Sequence, residues 1–288
     1  MATISVLGLG AMGSRMAVNW AAAGHDVIVW NRTRSTALAL VEQHVVTIAD
    51  TPSDAAARAD VVVSMVADDD AARAVWLGDD GALAAMRNDA VAIESSTLTP
   101  ATVRMLGAAA SDRGVAFVEA PVVGSRPQAE VGALLYLVGG TAEAIDAIRP
   151  IIDVNAGNVR HVGALGDAAT MKLAINGLFA TQVAAYAETV AMLERSGFDR
   201  ANVTDTLGEL PITSPGLQRI LGLIAEQTYE PNFPVRLVAK DLGYLVQVAD
   251  LAGAPVPVSS ATGAVFASAV DEGLGESDIA GVAGRYGL

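Results

Sequence analysis

The run Thr3–Leu7 is short and apolar and stops at Gly8-Leu9-Gly10-Ala11-Met12-Gly13, after which a helical pattern runs through Met16, Trp20 and Ala23 to Gly24. A second apolar run, Asp26–Trp30, follows at once. Glycines at this spacing, where a strand turns into a helix, constrain the fold more than any other feature of the chain. Gly8 permits the tight turn, Gly10 leaves the backbone bare for an approaching anion, and Gly13 lets the helix lie against the sheet. Unpaired amides at the helix start then face a pyrophosphate. Gly8, Leu9, Gly10, Ala11, Met12 and Gly13 are therefore expected to bind a dinucleotide; the alternative is a glycine turn with no ligand.

The end of the second strand chooses between dinucleotides. NAD sites place Asp or Glu there to bind the ribose 2′-hydroxyl. This chain has Asn31-Arg32-Thr33-Arg34 and no carboxylate before Glu42. Arg32 can pair with a 2′-phosphate, and Asn31 and Thr33 can donate hydrogen bonds to it. The expected cofactor is NADP(H).

Further strands are expected at Val61–Val66, Val91–Ile93, Ala116–Glu119 and Leu134–Val138, separated by alanine-rich helical stretches. That alternation indicates a mainly parallel sheet covered by helices, with ligands at the carboxyl ends of its strands. Past residue 162 the texture changes. Asp167 to about Ser196 reads as one long helix, and the remainder is helical in pattern with Pro and Gly punctuation. The fold expected is α/β: a dinucleotide-binding domain over residues 1–162, then an all-helical domain over 163–288, joined by the long helix. So apolar a helix calls for a second copy of the chain to cover part of it, and a homodimer is expected.

With 288 residues the chain can bury two cores. Its formal charge of -14 disfavours nucleic acid as a partner, since every phosphate would be repelled. The absence of cysteine removes disulfides and thiolate chemistry, and His25, His44 and His161 lack metal-ligand spacing, so no metal is expected. No signal peptide or convincing membrane span is read, which makes a cytoplasmic location the expectation.

Sixteen arginines stand against two lysines, Lys172 and Lys240. A lysine ammonium can release a proton near neutrality, whereas a guanidinium cannot. Lys172 lies in the apolar run Ala168–Ala187, a costly place for an unused charge, and Asn176 follows one turn later on the same face. Reduction of a carbonyl by hydride leaves an alkoxide that needs such an acid nearby. The alternative for Lys172 is a snorkelling side chain at the helix start.

Gly8–Gly13 near the amino terminus, Glu119–Gly124, Lys172 with Asn176, and Lys240-Asp241-Leu242 together resemble the β-hydroxyacid dehydrogenases, the superfamily of 3-hydroxyisobutyrate dehydrogenase. Within it the chain looks most like the NADP-dependent glyoxylate and succinic semialdehyde reductases. The resemblance spans essentially the whole chain. It implies a Rossmann domain, a helical second domain and often domain exchange between dimer partners. It makes Lys172 the general acid in reduction and Asn176 the group that orients substrate. Ser96 would lie near nicotinamide and substrate, Met65 and Val66 along the cofactor, and Lys240 would reach the site from the second domain. The segment Val122, Val123, Gly124 and Ser125 would hold substrate.

The chain departs from the family in that loop, which usually reads Asp-x-Pro-Val-Ser-Gly-Gly and here reads Glu119-Ala120-Pro121-Val122-Val123-Gly124-Ser125. Val123 removes a serine hydroxyl that helps hold a carboxylate, leaving the Gly124 and Ser125 amides and Arg126. Ile175 fills the first place of the family's paired asparagines. The expected activity is NADPH-dependent reduction of a small aldehyde or keto acid, reversible toward the hydroxy acid. An imine reductase shares fold and cofactor but usually carries Asp or Tyr where Lys172 stands. A catalytically silent NADPH-binding scaffold would have no use for Lys172, Asn176 and Ser96 together. A 6-phosphogluconate dehydrogenase needs a larger second domain.

Overall fold

The computed structural model describes all 288 residues and divides into two compact units, Met1–Lys172 and Leu173–Leu288. In the first, nine strands form one sheet: β1 Thr3–Leu7, β2 Asp26–Trp30, β3 Thr47–Ile48, β4 Val61–Ser64, β5 Val91–Glu94, β6 Ala116–Glu119, β7 Val122–Val123, β8 Leu134–Gly139 and β9 Ala156–Gly163. The spatial order is β3-β2-β1-β4-β5-β6-β8-β7, with β9 on β8. The pairings from β3 across to β6 are all parallel. Order reverses between β1 and β4, which opens a crevice at their carboxyl ends.

The helices of this unit are α1 Gly13–Ala22, α2 Arg34–Val41, α3 Pro52–Ala56, α4 Asp69–Leu77, α5 Ala82–Ala85, α6 Pro100–Ser111, α7 Arg126–Glu130, α8 Ala142–Ile152 and the start of α9 Asp167–Arg195. The strands read as continuous apolar runs because both faces are covered. Val27, Val29, Val61 and Val63 join one core with Met16 and Trp20 of α1 and Ile148 of α8. Ile28 and Val62 point the other way, into a core with Val75 and Trp76 of α4 and Leu106 of α6.

One expectation needed adjustment. The strand expected over Val61–Val66 ends at Ser64, because the Val66 amide donates to the Ser96 hydroxyl rather than to a neighbouring strand. The pairings of β6 and β7 with β8 are antiparallel, which gives the sheet a mixed edge. The polar strand β9 was not anticipated. Asn158, Arg160 and His161 break its apolar pattern, as its largely exposed residues at a sheet edge allow.

The second unit is helical: the rest of α9, α10 Arg200–Gly208, α11 Pro215–Glu226, α12 Val235–Leu251 and α13 Pro257–Ala269, then a π-helical turn Val270–Leu274 and a 3₁₀ helix Ile279–Tyr286. Its core gathers Val183, Ala187 and Val190 of α9 with Ile220, Leu242 and Phe266. Gly177, inside α9, has a packing reason: a Cβ there would come within 2.4 Å of Leu245 on α12. Helix α9 stops at Gly197, whose φ of +95° favours glycine. No helix is long and apolar enough to cross a membrane.

Candidate active site

The glycine turn meets each demand read from its sequence. Gly8 has φ +103°, and a Cβ on it would lie 2.3 Å from the Met65 carbonyl oxygen. At Gly13 a Cβ would strike the Gly8 carbonyl at 2.1 Å. Gly10 differs: a Cβ there would meet nothing within 4 Å, so no part of the protein requires its bareness. That is the arrangement expected where an external anion approaches the backbone. The cradle fits a dinucleotide pyrophosphate.

Strand ends β1, β2, β4 and β5 bring several predicted residues together. The Gly8 amide donates to the Trp30 carbonyl and the Met65 amide to the Leu7 carbonyl, both at 2.9 Å. Asn31 Oδ1 accepts the Leu9 amide at 2.9 Å, and its Nδ2 donates to the Thr33 carbonyl at 3.0 Å. Asn31 is thus a brace for the turn, and only its second amide hydrogen is left for a ligand. Arg34 is ion-paired with Asp50. Arg32 is exposed and has no partner within the chain, which leaves it as the cation available to a phosphate at this end of the sheet.

Ser96 is held on two sides. Its Oγ accepts the Val66 amide at 2.8 Å, and its own amide donates to Glu94 Oε1 at 2.8 Å. Glu94, only 1% exposed, also accepts from Trp76 Nε1 at 2.7 Å. Burial pushes the Glu94 carboxyl above the ordinary carboxylate range, against the opposing pull of its hydrogen bonds from Ser96 and Trp76.

The loop after β6 corrects the expectation about its donors. The Ser125 amide donates to Gln128 Oε1 at 3.0 Å, closing a capping box at the start of α7, and so is not available to a substrate. The Val122 side chain is packed in the apolar core and its strand position pairs with Tyr136. Val123 is half-buried and Gly124 is exposed.

Lys172 sits in the second turn of α9 and is only 8% exposed. In the helical unit, Asn176 Nδ2 donates to Asp241 Oδ2 at 2.6 Å, and Lys240 Nζ stands 3.1 Å from Asp241 Oδ1 and 5.1 Å from the Tyr244 ring centre. Asp241, 3% exposed, is the hub of this cluster. No role was read for it from the sequence, although a carboxylate beside Lys240 in an apolar stretch was the available signal. Glu94 was missed for a plainer reason: nothing local marks a buried acid whose partners lie on other elements.

A phosphate cradle at a topological switch point, an exposed arginine at the end of β2 and a buried lysine on the long helix define a dinucleotide-dependent oxidoreductase. Residues 3–163 match the NAD-binding domain of 6-phosphogluconate dehydrogenase, and residues 166–286 match the NAD-binding domain of NADP-dependent 3-hydroxyisobutyrate dehydrogenase. The 3-hydroxyisobutyrate dehydrogenase of Pseudomonas aeruginosa is 33% identical over 97% of this chain and 97% of its own. The chloroplastic glyoxylate/succinic semialdehyde reductase 2 of Arabidopsis thaliana is 29% identical over 97% of this chain and 78% of its own. The structure of Mycobacterium tuberculosis 3-hydroxyisobutyrate dehydrogenase with L-serine superposes with a TM-score of 0.87 at 28% identity, covering 99% of both chains. The chain belongs to the β-hydroxyacid dehydrogenase superfamily, as an NAD(P)-dependent oxidoreductase acting on CH–OH groups.

Proposed function

We propose that this enzyme uses NADPH to reduce a small aldehyde or keto acid, reversibly toward the corresponding hydroxy acid, with Lys172 as proton donor. The observation that carries this reading is the near-complete burial of Lys172 in an apolar stretch of α9. An ammonium so far withdrawn from water can pass its proton to a bound substrate rather than to solvent, as a general acid must. When bound, the dinucleotide supplies the hydride. Lys172 gives its proton to the oxygen that becomes negative as the carbonyl is reduced, and in the oxidative direction takes it back. Asn176, its amide oriented by Asp241, presents its oxygen or remaining N–H to substrate. Residues 1–162 serve as the NADP-binding domain, residues 163–288 as the substrate and dimerisation domain.

Arg32, unpaired at the end of β2, supports NADP over NAD, since a 2′-phosphate would find a partner there and a carboxylate is absent. Gly8, Leu9, Gly10, Ala11, Met12 and Gly13 hold the pyrophosphate. Met65, Val66 and Ser96 flank the nicotinamide end. Val123 and Gly124 face substrate. A homodimer is supported by exposed Met171, Leu178 and Met192, which with exposed Ala185 stand seven residues apart along α9 as one uncovered apolar stripe.

The test follows NADPH and NADH oxidation with glyoxylate, succinic semialdehyde, methylmalonate semialdehyde and a cyclic imine, for wild type and Lys172→Ala. Turnover of an aldehyde acid with NADPH, lowered roughly 10²- to 10⁴-fold in the variant, is the expected result. Turnover of the imine alone, or undiminished turnover by Lys172→Ala, overturns the proposal.

A further inference from the structure

Glu119 is fully buried at the end of β6, where a carboxylate is expensive unless its oxygens are used. They are used, and at long range. Oε1 accepts the amides of Gly166 at 2.6 Å and Ala168 at 3.0 Å, and Oε2 accepts that of Ala169 at 3.1 Å. The Asp167 carboxylate turns back to the Ala164 amide at 2.9 Å, so it does not cap the helix it begins. The amide of Asp167 donates to Ala164 and that of Thr170 to Gly166. Glu119 therefore completes the hydrogen bonding at the start of α9, where the amides of Gly166, Ala168 and Ala169 would otherwise lack partners.

This is not how the chain caps its other helices. Thr51, Asp68, Thr99, Thr141, Asp199 and Ser214 each cap the helix that they immediately precede. For α9 the cap comes from a strand about fifty residues upstream. The sheet is shaped to admit it: Gly139 pairs with Glu119, and a Cβ on Gly139 would come within 2.4 Å of Glu119 Oε1. Lys172 follows Ala169 by three residues, and side chains on a helix lean toward its amino terminus. Immediately after Glu119 the chain runs into the loop of Val123 and Gly124.

We propose that Glu119 is a positioning residue for Lys172: by locking the first turn of α9 to the end of β6, its carboxylate fixes where the lysine ammonium stands relative to the loop that follows the same strand. The proposal rests on the reading of Lys172 as proton donor. Glu119→Gln puts an NH₂ group against an amide and should loosen that turn. Gly139→Ala should do the same by displacing the carboxylate.

The experiment measures kcat, NADPH dissociation by fluorescence and thermal melting for Glu119→Gln, Gly139→Ala and Glu119→Asp. It repeats Glu119→Gln in a Lys172→Ala background. Both disruptive variants should lose about tenfold or more in kcat while NADPH dissociation stays within about twofold, and Glu119→Asp should recover part of the loss. In the Lys172→Ala background, Glu119→Gln should cause no further loss. Wild-type kcat in folded Glu119→Gln, or an equal loss in both backgrounds, overturns the positioning role. Undiminished kcat in Lys172→Ala alone would instead overturn the role of the lysine. Should Glu119→Gln not fold, Gly139→Ala carries the same comparison.

Discussion

Asp241 holds Asn176 by a 2.6 Å hydrogen bond from Nδ2 to Oδ2, and its other oxygen faces the Lys240 ammonium at 3.1 Å. Two groups proposed for the site therefore depend on one carboxylate that touches neither cofactor nor substrate in this reading. Asp241→Ala removes the acceptor of a buried amide and the carboxylate beside a largely buried ammonium. A loss of roughly 3 kcal/mol of stability is expected, measured by urea unfolding, since breaking a buried charged cluster leaves its partners uncompensated. Asp241→Asn, which keeps an oxygen for Asn176, should be milder; equal losses would mean that the charge alone matters.

The three glycines of the phosphate turn should separate folding from ligand binding. Gly8→Ala forces a Cβ to within 2.3 Å of the Met65 carbonyl at a positive φ and should destabilise the fold by about 1–3 kcal/mol. At Gly10 the added methyl meets no protein atom, so Gly10→Ala should unfold like wild type yet bind NADPH at least about tenfold more weakly. Urea unfolding and a fluorescence titration check both arms.

Removing the side chain of Arg32 should act on one dinucleotide and not the other. A charge-assisted hydrogen bond contributes about 1.5–3 kcal/mol, so Arg32→Ala should raise KM for NADPH roughly 10- to 100-fold and leave that for NADH unchanged. A parallel rise for both would assign Arg32 to something other than the 2′-phosphate.

Glu94 sets a pH dependence with a definite sign. Burial raises its carboxyl above the ordinary value, so the folded state holds a proton that the unfolded chain has already released. The stabilising contribution is complete below the unfolded pKa and is lost as pH rises through the higher folded one. Glu94→Gln cannot titrate. Its stability relative to wild type should therefore improve as pH is raised from the ordinary carboxylate range toward neutrality, which urea unfolding at a series of pH values would read. A pH-independent difference would contradict the assignment.

What could be read from the amino acids was local. Gly8, Gly10 and Gly13 declare themselves because backbone conformation and close approach are properties of a residue and its neighbours. The long helix was legible from its uninterrupted apolar pattern and its stop at Gly197, and Lys172 stood out because a charge in that pattern needs a reason. Asn31, Ser125, Glu94 and Glu119 were not legible in this way. Asn31 read as a donor to phosphate, and its second role of accepting the Leu9 amide could not be seen; Ser125 read as a free amide and is closed by Gln128. Polar side chains make few bonds, and which ones they make depends on elements that the chain brings close only after folding. The mixed edge of the sheet was hidden for a similar reason, since the direction of β8 depends on its neighbours and not on its own residues.

The hydrogen bond from the Leu9 amide to Asn31 bears on how such an enzyme could change coenzyme over generations. It joins the turn that grips the pyrophosphate to the strand end that meets the ribose, and makes them one rigid piece. Drift at position 31 would damage the grip common to both coenzymes before it altered the preference between them. The codons at 32 and 33 carry no such burden, because neither side chain bonds to the rest of the protein. A lineage exchanging one coenzyme for the other has a narrow but open route there, two adjacent positions wide, with its scaffold left in place.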